Sequence, residues 1–167
     1  MSLYKQAKVL SNKQFCSILS YLDRTRYPLR NKVIFLLSFK GGLRAKEIAE
    51  LKWSHVLDSS FVVGDTINLS NDISKGSSGG RIIPMNKELR LHLVELYDGN
   101  DVDESVVLSE RRCSMSSRVI RNFFKRMYDD LGFYGCTSHS GRRTFATNVS
   151  RNVSRVGGSL YDVQTLL

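Results

Sequence analysis

Apolar residues recur at helical spacing along most of the chain. Between Leu10 and Asp23, the residues Phe15, Ile18, Leu19 and Leu22 fall on one face, and Ser11 followed three places later by Gln14 has the spacing of a capping box, which predicts a first amphipathic helix. Pro28 suits a first helical position. Leu29, Val33, Leu36 and Leu37 then repeat at steps of four, three and one until Gly41 and Gly42 end the pattern, so a second helix, mostly core, is expected. A short third helix is predicted from Arg44 to Lys52, with Ile48 and Leu51 on its inner side and Trp53 just beyond.

From Val56 to Met85 the pattern changes. β-Branched and aromatic residues cluster in Phe61 to Val63, Thr66 to Leu69 and Arg81 to Pro84, separated by Gly64, Asp65 and the run Gly76 to Gly80, which predicts a small antiparallel sheet with a flexible hairpin tip. Helical period returns in Leu89, Leu93 and Leu96, followed by an acidic loop from Asp98 to Glu104. The strongest stripe comes next: Val119, Ile120, Phe123, Phe124, Met127, Tyr128 and Leu131 share one side, and Arg118, Arg121 and Lys125 share another. Two more helices are expected, from Ser138 to about Asn152 and from Ser159 to the end. The fold class is therefore α+β, mainly α-helical, with one small sheet inserted after the third helix.

Composition narrows the function. With 167 residues, 41% of them apolar and 25% charged, the chain is long enough for one domain over 1–167, burying roughly 70% of the surface its unfolded form exposes. Lys and Arg number 25 against 16 Asp and Glu, a net charge of +9, which favours a polyanionic partner, nucleic acid first. No apolar run approaches the ~20 residues of a membrane span, and the first residues lack the apolar core of a signal peptide, so a soluble, intracellular protein is expected. Cys16, Cys113 and Cys136 are odd in number and far apart, which suits neither a disulfide framework nor a metal site; reduced, buried thiols are expected. Beyond Asp130 only Asp162 is acidic, whereas Arg142, Arg143, Arg151 and Arg155 all fall there.

Three segments place basic residues where solubility does not require them. In Gly41-Gly42-Leu43-Arg44-Ala45-Lys46-Glu47, an arginine follows a glycine turn at a helix start and an acid stands one helical turn later, in reach of its guanidinium. Lys75 adjoins the Gly/Ser-rich tip. In Thr137-Ser138-His139-Ser140-Gly141-Arg142-Arg143, Ser138 as N-cap would set His139 and Arg142 on one face of a first turn, where backbone N–H groups favour an anion. Singly, each has an ordinary reading: a surface ion pair, a lysine blunting a sheet edge, a structural histidine.

In their order and intervening elements, the three segments resemble the catalytic domain of the tyrosine recombinase (phage integrase) family. The supporting text, Glu47-Ile48-Ala49-Glu50-Leu51-Lys52-Trp53 and Thr144-Phe145-Ala146-Thr147, is similar too, and the resemblance covers nearly the whole chain. It implies four catalytic residues here, Arg44, Lys75, His139 and Arg142, with Glu47 supporting Arg44. Arg81, Arg118, Arg121, Lys125 and Arg143 are assigned to the DNA backbone. Gly141 and Arg143 depart from the leucine and histidine usual around the last arginine.

The implied activity is site-specific recombination of double-stranded DNA through a 3′-phosphotyrosyl intermediate, by protomers assembled on the DNA in the cytoplasm, with neither metal nor other cofactor. The family's last elements, a Leu-Gly-His or Leu-Gly-Trp turn and the nucleophilic tyrosine, should follow Gln164-Thr165-Leu166-Leu167, so the nucleophile is expected outside these residues, as is the usual N-terminal clamp domain. Tyr161 is expected to pack with Leu160 against the core. Two other readings stay open: an inactive, integrase-derived DNA-binding regulator, and an unrelated module laying the helix from Arg118 to Tyr128 in a groove.

Overall fold

The computed structural model describes residues 6–70, 80–99 and 101–167. The helix Asn12–Leu22 (α1) starts on the expected capping box: Ser11 Oγ accepts the Gln14 N–H at 3.2 Å and Gln14 Oε1 accepts the Ser11 N–H at 3.0 Å. The helix Pro28–Phe39 (α2) has no polar face for most of its length, since Val33 through Phe39 are all buried. It therefore sits at the centre, against α1 and three other helices, namely Ala45–Glu50 (α3), Lys87–Leu96 (α4) and Ser140–Val153 (α6). The strongly amphipathic helix Ser117–Asp130 (α5) buries Ile120, Phe124, Met127 and Tyr128 and packs on α3. Val119, on the edge of that stripe, is exposed. A short helix, Leu160–Thr165 (α7), lies on α6. Among the described residues, no helix is long and apolar enough to cross a membrane.

The sheet has two strands, Thr66–Leu69 (β1) and Arg81–Pro84 (β2), antiparallel with Ile67 opposite Ile83 and Leu69 opposite Arg81. Alternation turns Ile67, Leu69 and Ile83 inward and leaves Ile82 exposed, so Arg81 stands on the inner face. Phe61 to Val63 is not a strand. Asp58 Oδ1 accepts the N–H groups of Ser60 and Val62, a side-chain turn that takes the donors a ladder would use, and Phe61 adopts φ 58°. The predicted tip, with Lys75, lies outside the described residues.

Three further expectations are corrected. Cys16 and Cys113 are exposed and Cys136 is half-buried, because α1 turns position 16 outward and Cys113 lies in a surface loop. Leu160 and Tyr161 are exposed, at 67% and 72%, since α7 meets the core through Val163 alone. Ser138 is not the cap of α6. Thr137 Oγ1 accepts the His139 N–H, Ser140 Oγ accepts the Thr137 N–H, and the helix begins two residues later than predicted, with His139 in the preceding turn.

Two glycines set the distances around the centre. Gly141 brings α6 onto α2: a Cβ there would lie 2.5 Å from Ser38 Oγ and 3.2 Å from the Phe39 nitrogen. Close packing thus answers the loss of up to ~1 kcal/mol in helix propensity. Gly42, which follows α2, has φ +69°, and a Cβ would come within 2.5 Å of the Phe145 ring. Gly42→Ala is expected to cost about 2 kcal/mol through left-handed strain and this clash, lowering the melting temperature by roughly 4–8 °C. An unchanged thermal melt would show that the turn accepts a side chain.

The N-terminal segment crosses back over α6. The Lys8 N–H donates to the Gly135 carbonyl at 3.2 Å, the Leu10 N–H to Thr144 Oγ1 at 2.8 Å, and Arg143 Nη1 to the Ala7 carbonyl at 2.9 Å.

Candidate functional site

Arg44 leaves the Gly42 turn in extended conformation and stands at the N-cap of α3, where it cannot cap the helix with an oxygen of its own. Glu47 caps it instead. Its Oε2 accepts the Arg44 N–H at 2.6 Å, and its Oε1 accepts from Arg44 Nη1 at 2.9 Å, so one carboxylate fixes both the backbone and the guanidinium of the same residue. Glu47 is 1% exposed, the Arg44 side chain 36%. The pair is therefore anchored below and open above.

Two more guanidinium groups reach the same carboxylate from distant parts of the chain. Arg81, on the inner face of β2, donates from Nη2 to Glu47 Oε2 at 2.8 Å. Arg142, in the first turn of α6, has Nη1 3.7 Å from that oxygen and donates from it to the Gly42 carbonyl. Arg81 Nη1 donates to the Leu167 main-chain oxygen at 2.6 Å, and Arg142 Nη2 donates to the same atom. Three guanidinium groups thus share one buried carboxylate, and two of them converge on a single acceptor oxygen, as they would on an oxygen of a phosphate.

Charge in this cluster is unbalanced. The Arg142 pKa is pushed down to about 10, first by burial and then by Arg44, with Arg81 acting in the same direction and Glu47 opposing. At neutral pH the group is still cationic. A bound anion would relieve this repulsion, and planar donors suit the equatorial oxygens of a phosphoryl group in transfer.

The open side of Arg44 faces a cleft of about 290 Å³ that is also lined by Lys46, Glu47, Ser117, Arg121 and His139. Of the predicted site residues, Arg44, Glu47, His139 and Arg121 meet at this cleft, and Arg142 joins them beneath it through Glu47. Arg118 is exposed on the same helix one turn before Arg121, and Lys125, one turn after, is paired with Asp129 at 2.6 Å. Only 9% of the Arg81 side chain is exposed, and its Nη donors are held by Glu47 and the Leu167 main-chain oxygen. Arg143 is directed to the Ala7 carbonyl. Sequence reasoning missed the place of Arg81, although strand alternation puts it on the same face as Ile83. Among the described residues, no group of three or more His, Cys, Asp or Glu side chains comes together to hold a metal ion.

The chain is 30% identical over 150 residues to the tyrosine recombinase XerA of Pyrococcus horikoshii, covering 85% of this chain and 47% of that protein. With the tyrosine recombinase XerA of Thermococcus onnurineus it shares 27% over 167 residues, covering 96% of this chain and 53% of the relative. The chain thus spans about half the length of these relatives. The fold is similar to that of the Tn1549 transposon integrase solved in complex with transposon right end DNA, at a TM-score of 0.73 and 21% identity, over 99% of this chain and 59% of the other. The model of the phage integrase family matches residues 8–167. The chain that gathers Arg44, Glu47 and His139 around one cleft, with Arg142 beneath it against Glu47, belongs to the phage integrase family.

Proposed function

We propose that the chain is the catalytic core of a site-specific recombinase acting on double-stranded DNA. The observation that carries this reading is the excess of buried positive charge at Glu47, built from residues 44, 81 and 142 and open to a basic cleft. In the reaction, a tyrosine hydroxyl attacks the scissile phosphorus, the phosphorus–O5′ bond breaks, and a 3′-phosphotyrosyl bond and a free 5′ hydroxyl result; the reverse attack by a partner strand restores the backbone. Arg44 and Arg142 neutralise the non-bridging oxygens, His139 assists proton transfer at the attacking hydroxyl, and Lys75 protonates the leaving 5′ oxygen. Among the described residues, no tyrosine lines the cleft. Arg121 and Arg118 hold the DNA backbone beside the cleft.

The test is titration of duplex DNA at several salt concentrations. Arg121→Ala is expected to weaken binding and to reduce the slope of log K against log salt by about 0.9, the share of one phosphate contact. This chain by itself is expected to form no covalent adduct with a nicked suicide duplex. Binding that ignores salt would overturn the DNA reading, and a detergent-stable adduct at Tyr161 would place the nucleophile on α7.

A further inference from the structure

Arg81 is costly to keep. Its side chain is 9% exposed, and its Nε, buried, has no hydrogen-bond partner among the described residues. It lies close to two other cations, Arg44 and Arg142, which share the Glu47 carboxylate with it. A fold selected for stability alone would fill this inner position of β2 with an apolar residue, as it does at Ile83.

The geometry around Glu47 shows what Arg81 does there. Oε2 has two claimants besides the Arg44 N–H: Arg81 Nη2 at 2.8 Å and Arg142 Nη1 at 3.7 Å. With Arg81 absent, a small rotation of the carboxylate would close the Arg142 pair and draw Oε1 away from Arg44. We propose that Arg81 is a positioning residue of the arginine site: by holding Glu47 Oε2 it presents Oε1 to Arg44 and keeps Arg142 from closing on the same carboxylate. Arg142 then keeps its donors on the Gly42 carbonyl and on the acceptor oxygen that Arg81 also holds. A displacement of an ångström in either catalytic guanidinium is enough to cost about a hundredfold in rate. This role rests on the recombinase reading for its consequence in catalysis, though not for its geometry.

Two measurements test it. In the full-length natural protein with nicked duplex DNA, Arg81→Lys and Arg81→Met are expected to bind DNA within twofold of the unmodified protein, with an unchanged salt slope. Their single-turnover rate of adduct formation at saturating DNA should fall about a hundredfold. Methylguanidinium, which can enter the space left in Arg81→Ala, should restore at least tenfold of the rate. A weakened affinity with a shallower salt slope and a normal rate at saturation would make Arg81 a DNA contact and overturn the proposal. So would a loss of rate without rescue that follows the unfolded fraction.

The second measurement needs no cleavage. In the 167-residue chain, the side-chain ¹⁵Nε–¹H signals of Arg44 and Arg142 should move towards those of exposed arginines in Arg81→Met and stay in place in Arg24→Met, which changes an exposed arginine at the end of α1. Unmoved signals in Arg81→Met overturn the proposal. If the unmodified full-length protein forms no adduct while these signals still move, the recombinase reading fails and the positioning role stands.

Discussion

Glu47→Ala is expected to lower the stability of the fold by roughly 3–5 kcal/mol, the cost of leaving buried cations without their partner. Three guanidinium groups would then face one another across the gap between α3, β2 and α6, and the Arg44 N–H at the start of α3 would lose its acceptor as well. In a chain of this size the melting temperature should drop by roughly 6–20 °C, and the urea midpoint should fall at constant slope. The sign of a second change is informative. Arg81→Met added to Glu47→Ala removes one of the stranded charges, so the double variant should be more stable than Glu47→Ala alone. A loss below about 1 kcal/mol for Glu47→Ala would mean that water reaches the cluster and that the carboxylate does not hold it together.

The second large effect separates charge stabilisation from proton donation. In the full-length protein with saturating nicked DNA, Arg142→Ala should slow adduct formation by about 10²–10³-fold, as expected for loss of a donor aimed at developing negative charge. Lys75→Ala should slow it by about 10²–10⁴-fold, the range for a general acid. A substrate carrying sulfur in place of the leaving 5′ oxygen distinguishes the two, because a thiol ionises near pH 8.5 and leaves with little need of a proton. The sulfur substrate should rescue Lys75→Ala and leave Arg142→Ala slow. Rescue of both, or of neither, would reassign these roles.

Much of this was legible in the sequence because it is local. The Ser11 and Gln14 capping box, Pro28 at the start of α2 and the α5 stripe are decided by neighbours within a turn or two. The pairing of Arg44 with Glu47 is local too, and its burial is not. What sequence reading missed depends on distant partners or on competition between local options. Phe61 to Val63 has strand composition, yet Asp58 offers its donors a nearer acceptor. Gly141 reads as a weak point in a helix until α2 is brought against it. Arg81 reads as one more surface cation, and only the register placing it opposite Leu69 turns it inward to Glu47. Leu160 and Tyr161 read as core because they are apolar, but so short a helix buries a single position.

The strap from Lys8 to Leu10 over α6 has a consequence for how the molecule is made. Its bonds join residues up to 134 positions apart, so this segment finds its partners only when Thr144 has been synthesised. Arg44 likewise precedes Arg142 by 98 positions, which on a ribosome adding about 5–20 residues per second is a wait of about 5–20 s. During that interval α1 to α5 can collapse on one another, while the first arginine and its carboxylate stand ready without the rest of their site. Docking of the Lys8 to Leu10 strap and arrival of Arg142 beside Glu47 both wait for α6, so the two are coupled as late steps in the folding of these residues.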